Sequence, residues 1–71
     1  MTRVRVDFNR REGPGDVAIP AEGIPADELK VGAIVTCYEP GDIECEVILR
    51  RGTRREWVGD ILDGTIRDSA E

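Results

Sequence analysis

The chain has 71 residues, which suffices for one domain but leaves little room for a deep substrate cavity. Asp and Glu total 15 against 10 Lys and Arg, and the net charge of −5 disfavours generic binding to nucleic acid or membrane surfaces. The absence of histidine and of any apolar run of about 18 residues excludes a histidine-dependent catalytic site and a membrane-spanning helix.

Composition also predicts where the protein works. The N-terminus lacks the apolar run of a signal peptide. Every basic residue except Lys30 is arginine, a bias typical of GC-rich bacterial genomes. We therefore expect a bacterial, cytoplasmic protein in which residues 1–71 form one domain, with reduced thiols and no membrane contact.

The first part of the chain predicts two short strands separated by a polar loop. Apolar and charged residues alternate from Val4 to Phe8, as in a half-buried strand. Residues 9–15 contain two glycines and a proline and predict a loop. Residues 16–20 predict a short extended segment that Pro20 ends.

The only helix that the sequence suggests is a single turn over residues 26–29. Pro25 suits the first position of such a turn. The alternative is irregular chain, and the sequence supports both equally. No other segment has the length or the period of a helix.

The centre of the chain predicts a hairpin, with strands over residues 33–38 and 43–50 and a turn at Glu39-Pro40-Gly41-Asp42. A two-residue loop would turn the even-numbered residues of the first strand toward the core, and a three-residue loop the odd-numbered ones. We favour the second, because it places Cys37 opposite Cys45. It also places Asp42 at the left-handed loop position, which Asp tolerates.

A second hairpin pairs the 43–50 strand with residues 57–61. If Arg50 faces Glu56, large apolar residues of both strands share one face, with Leu49 opposite Trp57. The same register makes Ile48 and Val58 neighbours on the other face. Residues 65–67 predict a last strand, and residues 68–71 a frayed end.

Five or six short strands in so few residues predict an all-β, small antiparallel barrel, because closure hides strand edges. Residues 29–35 (Leu-Lys-Val-Gly-Ala-Ile-Val) and 57–61 (Trp-Val-Gly-Asp-Ile) resemble SH3-like small barrels, including Tudor and KOW-type modules. The resemblance covers residues 29–67. The opening Val4–Asn9 also resembles the start of short bacterial proteins of uncharacterised function. The resemblance implies a binding module, but three aromatic residues are too few for the Tudor aromatic cage.

Four arginines, Arg50, Arg51, Arg54 and Arg55, surround the tip of the second hairpin. One interpretation is an anion clamp, since guanidinium groups grip phosphate or carboxylate in a bidentate manner. The other, which we favour, is a solvated loop whose arginines pair with acidic residues of neighbouring strands. Residues 10 and 11 would join the cluster if the 9–15 loop lies nearby.

Neither the cysteines nor the carboxylates predict a reactive centre. A structural zinc needs about four ligands, and Cys37 and Cys45 are the only two Cys or His residues. We interpret them as buried hydrophobic residues. Glu44 and Glu46 share the solvent-exposed face of one strand, where no burial is expected to raise a carboxyl pKa for general-acid catalysis. We therefore expect no enzyme, no metal and no cofactor.

The leading hypothesis is a small, non-enzymatic protein-interaction module that binds a protein partner or a second copy of itself. It would use an apolar strip formed by Ile48 and Val58 together with Tyr38 or Ile34. The alternative is a nucleic-acid-binding small barrel that uses the Arg50–Arg55 hairpin. Net charge and the scarcity of aromatic residues count against the alternative.

Overall fold

A computed structural model describes residues 2–69 of the chain. These residues form one open, mixed sheet of six strands in the order β1-β3-β4-β5-β2, with β6 paired to β4. None of them belongs to a helix long and apolar enough to cross a bilayer. The strands are β1 (Arg3–Arg5), β2 (Asp16–Ala18), β3 (Ile34–Tyr38), β4 (Ile43–Arg51), β5 (Trp57–Ile61) and β6 (Arg67–Asp68).

Strand β4 organises the sheet, because it pairs with β3, β5 and β6. Its residues Cys45, Val47 and Leu49 are fully buried. They alternate with the half-buried residues Glu44, Glu46, Ile48 and Arg50. Valines from both edge strands join the same core cluster, and Ile24 and Leu29 from the chain between β2 and β3 pack there too. One face of the sheet is therefore the core, and the other carries mostly polar and charged side chains.

The predicted all-β class is confirmed, but the strands are not all antiparallel as predicted. The sheet is open, and β1 runs parallel to β3, with Val4 opposite Cys37. A parallel pair needs a connection of about a dozen residues or more, and residues 6–33 provide it. Alternation along a strand specifies which face is buried but carries no information about the direction of its neighbour.

The first hairpin has the predicted register. Val35 lies opposite Val47 and Cys37 opposite Cys45. The left-handed residue in the loop is Gly41, at φ 75°, and not Asp42 as predicted. Asp42 N donates to Glu39 O and closes a tight turn whose third residue is Gly41, a position where glycine takes the left-handed conformation at no steric cost.

The predicted register of the second hairpin is wrong by two residues. Gly52 N donates to Glu56 O, so only residues 53–55 form the loop, and Arg55 takes the left-handed conformation at φ 66°. Leu49 therefore faces Gly59 rather than Trp57. Because the shift is even, every side chain keeps its predicted face. The sequence offered no glycine at the left-handed position to mark this shorter loop.

The remaining short elements differ slightly from prediction. Residues 26–29 form a turn with i to i+3 hydrogen bonds rather than a helix, and a 3₁₀ turn at Ala21–Gly23 was not predicted. Strand β6 is Arg67–Asp68 instead of 65–67. Ser69 N donates to Asp42 O, so residues 68 and 69 are paired and not frayed. The last two residues of the predicted frayed end lie outside the described part.

Gly59 allows β4 and β5 to pack closely on the core face. A Cβ at this position would lie 2.8 Å from Val47 Cβ and 3.2 Å from Ile19 Cδ1. The side chain of Val47 thus fills the space that a residue larger than glycine would take. This close approach joins β2, β4 and β5 into one packed layer.

We expect Gly59→Ala to lower the free energy of unfolding by about 1–3 kcal/mol, because overpacking forces side chains and backbone to shift. Chemical denaturation would measure it. Gly13→Ala is the matched control: the nearest atom to its added methyl is 4.0 Å away, and we expect a change within about 0.5 kcal/mol. Equal midpoints for both variants would contradict the packing role of Gly59.

The two thiols lie opposite each other in the core, both fully buried and both free. Burial, reinforced by the neighbouring Cys45, raises the pKa of Cys37 to about 12. Burial also raises the pKa of Cys45. A thiol held protonated in this way is a poor nucleophile, as the interpretation of these residues as core hydrophobes implies.

The free energy of unfolding should fall as the pH rises from about 9 toward about 12. In that interval the unfolded chain loses the Cys37 proton and the folded chain keeps it, so alkali favours unfolding. Denaturation at a series of pH values would measure the slope. Cys37→Ala should show a smaller slope, and an unchanged slope would contradict the burial of this thiol.

Candidate functional site

Three carboxylates surround Arg50, which the sequence placed in a possible anion clamp. Its Nε lies 2.9 Å from both carboxylate oxygens of Asp60, and its Nη2 lies 2.9 Å from Asp16 Oδ2. Glu12 Oε1 is 3.5 Å from its Nη1. Hydrogen bonding to Asp60 raises the pKa of Arg50 above its usual value. The guanidinium donors are thus directed to the protein's own acids and not toward a ligand.

Asp16 explains why this cluster forms. Its side chain is only 5% exposed, and besides Arg50 it accepts hydrogen bonds from the backbone N–H groups of Glu12 and Gly13. A nearly buried carboxylate needs such compensation, because desolvation otherwise makes its charge costly. Arg50 therefore links β4 to the start of β2 and to the 9–15 loop.

The 9–15 loop reaches the hairpin tip through Glu12. Its Oε2 accepts hydrogen bonds from Thr53 N at 2.9 Å and Thr53 Oγ1 at 3.0 Å, while Glu56 Oε1 accepts from Arg54 N. The Thr53 N–H lowers the pKa of Glu12. A Cβ on Gly52 would lie 2.6 Å from the Glu12 carboxylate, so glycine makes room for it.

Arg51 is occupied by an aromatic ring. Its guanidinium carbon lies 3.8 Å from the centroid of the Trp57 ring, and its Nη1 donates to Arg55 O at 2.8 Å. The first contact is a cation–π interaction, and the second holds the left-handed Arg55 in place. Trp57 is half-buried and packs at the margin of the core.

Of the four predicted arginines, only Arg54 and Arg55 are exposed side chains that have neither an ion pair nor a ring contact among the described residues. Arg11 is also exposed and adjoins Glu12 in the chain, which places it on the loop that touches the tip. The favoured interpretation, in which the arginines pair with acidic side chains, thus applies to Arg50. Arg11, Arg54 and Arg55 form a smaller exposed group, which we call the cationic tip.

In the predicted apolar strip of Ile48, Val58 and Tyr38, the first two residues do not lie opposite each other as expected. Val58 is 1% exposed and lies opposite Arg50, and Ile48 lies opposite Asp60. The Arg3 guanidinium carbon lies 3.7 Å from the centroid of the Tyr38 ring. The cause is the two-residue shift of the second hairpin, which separates the expected neighbours.

The two carboxylates of β4 that share the solvent face are held by arginines. Glu44 lies 2.9 Å from Arg3 Nη2 and 2.7 Å from Arg67 Nη2, and Glu46 lies 2.9 Å from the same Arg67 nitrogen. Hydrogen bonds from Arg3 and Arg67 lower the pKa of Glu44. A lowered pKa is the opposite of what a general acid needs at neutral pH.

The structure contains a groove that the sequence did not predict, with a volume of about 600 Å³. Residues 5–7, at the end of β1, form one wall, and residues 18–20, at the end of β2, form the other. Arg10, Glu22 and Glu39 complete the lining. The groove therefore lies between the two edge strands of the open sheet, which we call the edge groove.

Main-chain groups face the edge groove from β1. Thr2 O accepts from Thr36 N, and Val6 N donates to Tyr38 O, so the even-numbered residues of this segment bond to β3. Alternation in a parallel ladder then turns the N–H and C=O of Arg5 toward the opposite edge. On the other wall, Ala18 N already donates to Arg10 O at 2.7 Å.

No sequence signal marked the edge groove. Its walls come from β1 and β2, which follow each other in the chain, and only the order of the whole sheet places these two strands at its edges. Among residues 2–69, no group of three or more Cys, Asp or Glu side chains has the arrangement of a metal site. Comparison with protein-family models, curated proteins and solved structures finds no match to the chain.

We expect Arg50→Ala to lower the free energy of unfolding by about 1–3 kcal/mol, because it leaves the nearly buried Asp16 carboxylate without its cation. Arg54→Ala is the matched control. Its side chain is solvated, so we expect a change within about 0.5 kcal/mol. Thermal and chemical denaturation would measure both, and equal stability of the two variants would contradict a structural role for Arg50.

Proposed function

We propose that the chain is a small, non-enzymatic protein-interaction module that binds its partner in the edge groove. The observation that carries the proposal is the groove itself. It combines an apolar lining from Val6 and Ile19 with charged side chains at its rim, a mixture typical of binding sites. Its volume of about 600 Å³ falls within the ordinary range for such sites.

The proposal includes the SH3-like resemblance of residues 29–67. Short strands and tight hairpins are compatible with a small barrel, and the open interval between β1 and β2 is where such a barrel would close. Composition supports a cytoplasmic, bacterial setting for this module. The partner is either another protein or a second copy of this chain.

The alternative, a nucleic-acid-binding module, rests on the cationic tip formed by Arg11, Arg54 and Arg55. Against it, Arg50 and Arg51 are engaged within the protein, and the net charge of −5 opposes the approach of a polyanion. Trp57, the nearest aromatic ring, is covered by Arg51 and so is not free to stack on a base.

A random-peptide library displayed on phage would test the proposal. Clones selected on the wild-type protein should lose binding to the double variant Arg5→Glu/Glu22→Arg, which exchanges two groove charges and leaves the net charge unchanged. They should keep binding to Arg54→Glu/Asp63→Arg, which makes the same exchange at exposed positions outside the groove.

Clones that bind both double variants equally would place the docking surface elsewhere and contradict the proposal. Failure to enrich any clone would also contradict it. Single-stranded DNA tests the alternative in parallel. Binding that persists at high salt and that Arg54→Glu/Asp63→Arg abolishes would favour the nucleic-acid hypothesis, because non-specific charge contacts weaken steeply with salt.

A further inference from the structure

Strand β1 presents an unused edge to the edge groove. The N–H and C=O of Arg5 point away from β3, as the bonds of Thr2 and Val6 to that strand require. Unpaired main-chain groups on an edge strand are a template for another strand. The opposite wall is less available, since Ala18 N is already bonded to Arg10 O.

The side chains along this edge alternate in character. Val4 and Val6 are 4% and 6% exposed and belong to the core, whereas Arg5 is exposed on the solvent face. A strand placed beside β1 would carry alternate side chains beside the two valines and beside Arg5. An occupant with apolar residues at every second position therefore fits the inner face.

Charge specifies the residues between those apolar positions. Within residues 2–69, no carboxylate pairs with the Arg5 side chain, although the other arginines of this face, Arg3, Arg50 and Arg67, have acidic partners. A carboxylate on the bound strand would supply the missing partner of Arg5. Opposite charges on directly adjacent strand positions are favourable, and like charges are not.

We propose that the partner binds as an extended segment that adds a strand to β1 in the edge groove, with apolar residues facing Val6 and acidic residues facing Arg5. This inference rests on the proposed function and names the class of partner. Recognition by strand addition draws affinity from main-chain hydrogen bonds and specificity from alternate side chains.

The probe is an eight-residue peptide in which valine alternates with glutamate, with fluorescein on its N-terminal amine and an amide at its C-terminus. The comparison peptide has lysine in place of glutamate. Because the protein carries a net charge of −5, long-range attraction favours the lysine peptide. Fluorescence anisotropy at physiological salt should nevertheless give tighter binding of the glutamate peptide, by about tenfold, equivalent to about 1.4 kcal/mol.

Arg5→Glu should reverse this preference. Arg54→Glu changes the net charge by the same amount at the hairpin tip, outside the groove, and should preserve it. Retained folding of both variants would be checked by circular dichroism. A preference that Arg5→Glu leaves unchanged, or that both variants abolish, would overturn the assignment of Arg5 as the specificity residue.

N-methylation tests the main-chain bonds directly. Methylating the amides of every second peptide residue should abolish binding in one frame and preserve it in the other, because alternate residues of an added strand bond to β1. Equal loss in both frames, equal retention in both, or no binding of the parent peptide would overturn strand addition. The proposed function fails separately, if library clones do not depend on the groove charges.

Discussion

The whole sheet depends on the alternation of strand β4. Its inward residues Cys45, Val47 and Leu49 are fully buried, and three other strands pair with it. A chain of this size has room for one such core, so the neighbouring strands must present their apolar residues to the same face. Gly59 completes this arrangement, because its missing side chain lets Val47 fill the space between the two strands.

Because the sheet has a single core face, most charged residues lie on the other face. Arginines pair there with the neighbouring carboxylates. Arg50 binds the nearly buried Asp16 together with Asp60, and Arg67 joins Glu44 to Glu46. The planar guanidinium serves two acceptors at once, which a lysine ammonium does less specifically. The consequence for function is that few cations remain for a ligand, and the apparent anion clamp is mostly internal structure.

The sheet is open, and its edges are short. Its two edge strands have three residues each, and the edge groove lies between their ends. Short edges limit indiscriminate pairing with other chains. Among residues 2–69, neither the main-chain N–H and C=O of Arg5 nor its guanidinium has a partner. The proposed partner supplies both a strand and a carboxylate, which connects the proposed function to the open topology.

The sequence by itself determined the class of fold, the strands from β3 to β5, and the face on which each of their residues lies, because a period of two is a local property. It also determined the first hairpin, since Pro40-Gly41 and the pairing of Cys37 with Cys45 restrict the register. Only the tertiary structure decided the three-residue tip at Arg55, the parallel β1 and the edge groove. Loop length, strand direction and edge identity depend on contacts between residues far apart in the chain, and alternation does not encode them.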